Sequence, residues 1–332
     1  MKKKFKYSLA GLIILIIIVL IGGSFYMLGF SLTPKDNKGK DIPGSYEYMR
    51  SEYPFIESWL DSLQTVGALR DTFIINPEGR QLHAIFAVAP EPTDKTAVIV
   101  HGYTDNAIRM LMIGYLYNKD LKYNIFLPDL QDQGLSEGPA IQMGWKDRLD
   151  VLNWMNIANN IFGKSSDSME NKSEPSPQNV TTQMVVHGIS MGAATTMMVS
   201  GEPQQPFVKC FVEDCGYTSV WDEFSHELKN QFSLPAFPLM YTTSLLCNAK
   251  YGWNFQEASS LNQVKKSKLP MFFIHGDADT YVPTWMVYPL YDAKSEPKEL
   301  WIVPGATHAM SYRDYPQEYT ERVKNFVGKY IR

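Results

Sequence analysis

Gly188-Ile-Ser190-Met-Gly192 is the stretch of this 332-residue chain whose residue types and spacing most plainly could do chemistry. The apolar run Met184 to Val186 before it reads as a buried strand, and the Ala- and Met-rich run after it reads as a helix. A serine at such a turn is held in a strained conformation with its hydroxyl exposed, and the glycines let strand and helix approach without Cβ clashes. A serine hydroxyl is a weak nucleophile until a neighbouring base takes its proton. His308, after Leu300 to Val303, could be that base, and Asp214, Asp277 and Asp279, each just after an apolar run, could orient its ring. Alone the five-residue pattern carries little weight. The order of the other residues gives it force.

The elements that must position these residues alternate along the chain. Thr72 to Ile75 and Leu82 to Val88 flank Asn76-Pro-Glu-Gly79 and read as a hairpin. Strands are expected at 97–100, 124–127, 184–186, 207–212, 270–274 and 299–303, with helices near 106–117, 145–161, 284–292 and 314–330. Apolar strands alternating with helices predict an α/β fold with a mostly parallel sheet covered on both faces. Ligands on such a sheet bind beyond the carboxyl ends of the strands, where His101, Asp129, Ser190, Asp279 and His308 all fall. Residues 163–179, polar and Pro-containing, read as a surface insertion.

Other classes are excluded by composition. Apolar residues make up 45% of the chain, ample for a packed core. The net charge is −4, and setting aside the four lysines of residues 1–30, which hold no acid, leaves −8, so there is no footprint for nucleic acid. Three cysteines, Cys210, Cys215 and Cys247, make a poor disulfide scaffold, and no Cys or His pair has zinc spacing, so neither a metal nor a cofactor is expected. His187 and His275 read as structural residues, and His83 and His226 have no catalytic context.

The N-terminus stands apart. Lys2, Lys3, Lys4 and Lys6 precede an uncharged stretch from Tyr7 to Phe30, which as a helix would rise about 36 Å against a hydrocarbon core of about 30 Å. This predicts a membrane anchor over residues 1–30, cytoplasmic N-terminus first, with everything after about residue 31 exported. A cleaved signal peptide is the rival, but its apolar region is usually about 7 to 15 residues, and Gly22-Gly23-Ser24 is a weak cleavage site. Residues 31–69 then hold a tether over 31–45 and one helix over 47–63, packing through Tyr48, Phe55, Trp59 and Leu63.

From about residue 70 to 330 the chain resembles the α/β-hydrolase superfamily, most closely the membrane-anchored bacterial cell-surface hydrolases related to cinnamoyl esterases and monoacylglycerol lipases. The resemblance rests on His101-Gly-Tyr103-Thr, Asp129-Leu-Gln-Asp-Gln-Gly134-Leu-Ser136, Gly144-Trp145-Lys-Asp147, Gly188-Ile-Ser190-Met-Gly192, His275-Gly-Asp-Ala-Asp279-Thr-Tyr-Val282-Pro and Gly305-Ala-Thr-His308, in the order nucleophile, acid, histidine. It implies a triad of Ser190, Asp279 and His308, with Asp279 preferred by the family spacing Gly-x-x-Asp-x-x-Val. It also implies oxyanion donors in the backbone N–H groups of Met191 and Tyr103, the latter just after the His-Gly pair. Gln131 and Gln133 stand where many relatives have Arg and His, which bears on substrate selection.

An α/β-hydrolase domain is therefore expected over 70–332, with a small cap over about 218–265. Trp221, Phe224 and Met240 in that cap are candidates for an apolar acyl pocket. The expected activity is hydrolysis of small carboxylic esters through an acyl-enzyme, outside the cytoplasmic membrane, falling as pH drops through roughly 6 to 7 if His308 must be neutral. A peptidase or amidase on the same triad, or a non-catalytic surface binding protein, are the alternatives.

Overall fold

The computed structural model describes residues 2–163 and 181–332. The insertion expected at 163–179 falls, but for Gly163, outside them. The chain forms two compact bodies, one of residues 37–218 with 260–332 and one of residues 1–36 with 219–259. Its helices in chain order are α1 (Lys2–Leu32), α2 (Ile42–Glu52), α3 (Glu57–Thr65), α4 (Leu111–Tyr115), α5 (Asp147–Phe162), α6 (Met191–Ser200), α7 (Val220–Phe232), α8 (Leu239–Tyr251), α9 (Ser260–Val264), α10 (Val287–Ala293), α11 (Ser311–Asp314) and α12 (Pro316–Val327).

The larger body is built on strands β1 (Arg70–Ile75), β2 (Gln81–Ala87), β3 (Lys95–Val100), β4 (Asn124–Pro128), β5 (Gln183–Ile189), β6 (Val208–Asp214), β7 (Met271–Gly276) and β8 (Lys298–Val303). They form one sheet in the order β1-β2-β4-β3-β5-β6-β7-β8. β2 is antiparallel to both neighbours and all later pairs are parallel. Every residue of β4 and β7 is buried, the pattern of strands covered on both faces. The strand order reverses between β3 and β5, and at such a switch point the loops leaving the strands diverge and open a crevice.

The structure revises the N-terminal reading. Residues 37–69 are not a tether but part of the larger body. Asn37 Nδ2 donates to the Asp132 carbonyl at 2.9 Å, the Gly134 N–H to the Gly39 carbonyl at 2.9 Å, and Lys40 Nζ pairs with Asp132 at 2.9 Å. Met49, Tyr53, Ile56 and Leu60 are buried in the main core. The single helix expected over 47–63 is two, because Pro54 has no N–H to continue the ladder and drives the residue before it out of the α region. Tyr53 accordingly sits between α2 and α3 at φ −129°, ψ 60°.

The smaller body holds α1, α7 and α8. Within α1, residues Leu9–Leu32 form a segment long and apolar enough to cross a membrane. Its last turns pack on the cap. Ser24 Oγ donates to Thr242 Oγ1 at 2.7 Å, Gly23 lies against Leu239, and the Phe30 ring meets Phe232 edge-on at 5.4 Å.

Candidate active site

Ser190 stands between β5 and α6 at φ 58°, ψ −122°, a conformation that a non-glycine residue adopts only where its surroundings enforce it. Its N–H is held by the Asp214 carbonyl at 2.8 Å. A Cβ at Gly188 would overlap the Gly192 carbonyl, and one at Gly192 would overlap the Val100 carbonyl. The two glycines are therefore required for β5, α6 and β3 to approach closely enough to make the turn.

The structure brings the three residues of the expected triad together. Ser190 Oγ lies 2.8 Å from His308 Nε2, and His308 Nδ1 lies 2.7 Å from Asp279 Oδ2. The other carboxylate oxygen, Oδ1, accepts the N–H groups of Tyr281 and Val282, both at 3.0 Å. Burial would raise the Asp279 carboxyl, but hydrogen bonds from His275 and His308 outweigh it and hold it down at about 2. An ionised carboxylate only accepts, so Nδ1 of His308 carries the proton and Nε2 is left as an acceptor for the serine hydroxyl. The other two candidate acids are otherwise engaged. Asp277 accepts the Gly305 N–H at 2.6 Å, and buried Asp214 accepts from Tyr319 at 3.1 Å and Ser311 at 3.2 Å.

Met191 opens α6, and an N–H in the first turn of a helix has no partner within that helix. Tyr103 comes after β3, and the peptide that carries its N–H is fixed from the other end. His101 Nε2 accepts from Leu130 N–H at 2.9 Å, so its Nδ1 donates to the Gly102 carbonyl at 2.8 Å. Burial lowers the pKa of His101, which keeps the ring in this neutral form. The Asp129 loop braces the same region. Gln133 Oε1 accepts the Asp105 N–H at 3.1 Å, and Gln131 Nε2 donates to Asp150 at 2.6 Å.

A cavity of ≈ 140 Å³ opens beside Ser190 and His308. Its walls include Tyr48, Tyr53, Tyr103, Met110, Met112 and Ile189, with Asp105 and Arg109 as its charged pair. Trp221, Phe224 and Met240 are not among its lining residues. Trp221 packs on Tyr241 at 4.9 Å, Phe224 on Phe255 at 5.0 Å, and Met240 is buried within the smaller body. The contributions of Tyr48 and Tyr53 were not read from sequence. The available signal was the aromatic density of residues 46–59, taken only as a packing face.

Cys215, Asp279 and His308 bring one ligand atom each within 4.8 Å of one another. Burial pushes the Cys215 thiol well above its ordinary value, and a protonated thiol is a poor metal ligand. Asp279 and His308 are also satisfied by each other. The set fits a metal badly.

The sequence profile of the prolyl oligopeptidase family matches residues 176–332. Among curated proteins, the uncharacterized protein YqkD of Bacillus subtilis is 28% identical over 242 residues, 73% of this chain and 74% of YqkD. YfhR of Escherichia coli K12 is 23% identical over 234 residues, 70% of this chain and 69% of YfhR. Among solved structures, the Pyrococcus furiosus esterase Pf2001 superposes with a TM-score of 0.60 at 22% identity, covering 80% of this chain and 93% of that one. Est1E from Butyrivibrio proteoclasticus gives 0.54 at 15%, covering 78% and 98%. The mostly parallel sheet, the serine turn at its switch point and the profile match over the C-terminal part make this chain a serine hydrolase of the α/β-hydrolase superfamily.

Proposed function

We propose that the protein is an esterase in which Ser190 is the nucleophile, His308 the general base and acid, and Asp279 the residue that orients and stabilises the imidazolium. The observation that carries this is the unbroken hydrogen-bond chain from Ser190 Oγ through His308 to a carboxylate held at about 2, beside a cavity. His308 Nε2 takes the hydroxyl proton as Oγ attacks the ester carbonyl. The backbone N–H groups of Tyr103 and Met191 receive the oxyanion. His308 then protonates the leaving alcohol, the acyl group stays on Ser190, and water repeats the sequence to release the acid.

Esters rather than peptides are favoured by the cavity, which at ≈ 140 Å³ is small beside ligand pockets of roughly 300–1,000 Å³ and suits a short acyl group. The solved proteins of similar fold include two named as esterases, Pf2001 and a Rhodothermus marinus esterase domain. A peptidase is the second reading, favoured by the prolyl oligopeptidase profile. We place α1 as an uncleaved anchor with the rest of the chain outside the cytoplasmic membrane, on the length of its apolar segment and the lysines before it. A signal sequence would pass the same length test, and the intact mass of the membrane-extracted protein distinguishes the two.

The test is fluorophosphonate labelling of the full chain in detergent, with Ser190→Ala alongside and a panel of p-nitrophenyl esters and aminoacyl anilides. Labelling that disappears in the variant, with esters turned over faster than anilides and short acyl groups fastest, is the expected result. Preference for anilides would replace the esterase reading by the peptidase one. Absence of labelling on the folded protein would remove both.

A further inference from the structure

The segment from Phe232 to Ala249, which includes most of α8, contains no charged residue in 18 positions, yet much of it faces out. Phe237, Tyr241 and Leu245, four residues apart, are 72%, 54% and 69% exposed. Residues at that spacing share one face of a helix. Surface helices of soluble domains carry charge on such a face, because a contiguous exposed apolar patch invites association. Lys229 and Lys250, both exposed, bracket the uncharged run.

The packing of α1 on α8 sets the depth of that face. A hydrocarbon core of about 30 Å takes about 20 helical residues. Counted from Leu9, where the apolar segment begins, it ends near Leu28, and counted from Tyr7, directly after Lys6, it ends near Tyr26. Gly23 and Ser24 fall inside the hydrocarbon on either count. These are the residues that meet Leu239 and Thr242 of α8. The Ser24–Thr242 hydrogen bond and the glycine contact are what helices use to associate where water is absent. With α1 across a bilayer, the first turns of α8 must lie at the depth of its outer leaflet.

We propose that α8 is a membrane-seated helix whose Phe237, Tyr241 and Leu245 face is buried among the lipids of the outer leaflet beside α1. The inference rests on the reading of α1 as a spanning helix. An uncharged helix face with aromatic residues and lysines at its borders is the composition that lies in a bilayer interface, the ammonium groups reaching the phosphates. The occupant of the face is thus the acyl-chain and headgroup boundary of the lipid, and the smaller body is held by two elements rather than one.

The full chain is reconstituted in vesicles of phosphatidylcholine and phosphatidylglycerol, with an environment-sensitive fluorophore on Leu245→Cys, on Phe237→Cys, or on Ile16→Cys in the middle of α1. The native cysteines are all buried, and the unsubstituted chain labelled in parallel measures their background. Positions 237 and 245 are exposed, so these substitutions leave the packing intact. The expected result is blue-shifted emission at 237 and 245 that loses most of its intensity to lipid carrying a nitroxide near the headgroup and little to aqueous iodide, with position 16 quenched by nitroxide deep in the acyl chain. Lipid quenching at 16 with iodide quenching at 237 and 245 overturns the proposal and leaves the anchor standing. Protection of 237 and 245 from both quenchers also overturns it, the face then being covered by protein. Absence of deep quenching at 16 removes the spanning reading and the depth argument with it.

Discussion

Two histidines of the larger body make almost the same bond and do different things with it. His308 Nδ1 lies 2.7 Å from Asp279, and His83 Nδ1 lies 2.6 Å from Asp129. The difference is on the far side of each ring. His308 Nε2 faces a hydroxyl at 2.8 Å, and its side chain is 21% exposed, whereas His83 Nε2 faces a second carboxylate, Asp71, at 2.9 Å, and its side chain is 3% exposed. A ring between an acid and a hydroxyl keeps one nitrogen lone pair and can take a proton. A ring between two acids uses both nitrogens as donors and has no lone pair to offer. A close His–Asp contact is therefore no mark of catalysis by itself; the third partner decides.

The sharpest break in the comparison is at that third partner. Ser190→Ala is expected to lower kcat/KM by on the order of 10⁶-fold with thermal stability nearly unchanged, since members of such a unit fail together. Equal loss from a change at His83 would erase the distinction. Next comes the acid. Asp279→Asn is expected to cost about 10⁴-fold in kcat, because the amide no longer fixes the tautomer that leaves Nε2 free to accept. In the parent enzyme the Asp279 carboxyl, held at about 2, stays ionised throughout the working range. Its folded value lies below the ordinary one, so its stabilising contribution is present above about pH 4 and is lost as pH falls towards 2. An acid limb of the rate profile at higher pH must then come from another group, and the limb should keep its midpoint in variants that leave His308 untouched.

Asp129→Asn tests the structural pair. Asp129 also accepts the N–H groups of Ala107 at 2.7 Å and Leu135 at 2.9 Å, so it ties β2, the loop after β4 and the segment after β3 together. Breaking a buried pair of this kind costs about 3–5 kcal/mol. A lowered urea midpoint is expected, with the kcat of the folded enzyme within a few-fold of the parent. A drop of several orders in kcat at full stability would show that the pair acts in chemistry.

The two histidines also differ in how far their roles could be read before the fold was known. Ser190 was legible because a Gly-x-Ser-x-Gly turn between an apolar strand and a helix has few uses, and a parallel sheet puts residues after its strands on one side. His308 and Asp279 came from that rule together with the resemblance. The His83–Asp129 pair was not legible, because it depends on β2 lying antiparallel beside β4 with Ala84 opposite Pro128, and strand register is a long-range property that a one-residue slip would destroy. Tyr48 and Tyr53 escaped for a related reason. Aromatic residues in an N-terminal helix have the same local pattern whether they pack in a core or wall a cavity. Here they do the latter across more than 130 positions, from Tyr53 to Ser190.

The smallest expected effect is the one that reads the charge on His83. Burial would lower the pKa of this ring, but hydrogen bonds and charges from Asp129 and Asp71 outweigh it, and the net direction is up. A histidine whose folded value is raised above the unfolded one contributes stability that is fully present below the unfolded value, about 6.5, and is lost as pH rises through the folded value. His83→Gln keeps polar contacts on this face but cannot be charged. The stability difference between parent and His83→Gln, from urea midpoints, is therefore expected to be larger near pH 5.5 than near pH 9. A difference that is flat or grows with pH would mean that the folded ring is neutral. One of its nitrogens would then be an acceptor, and His83 would differ from His308 only in lacking a serine within reach, not in the state of its ring.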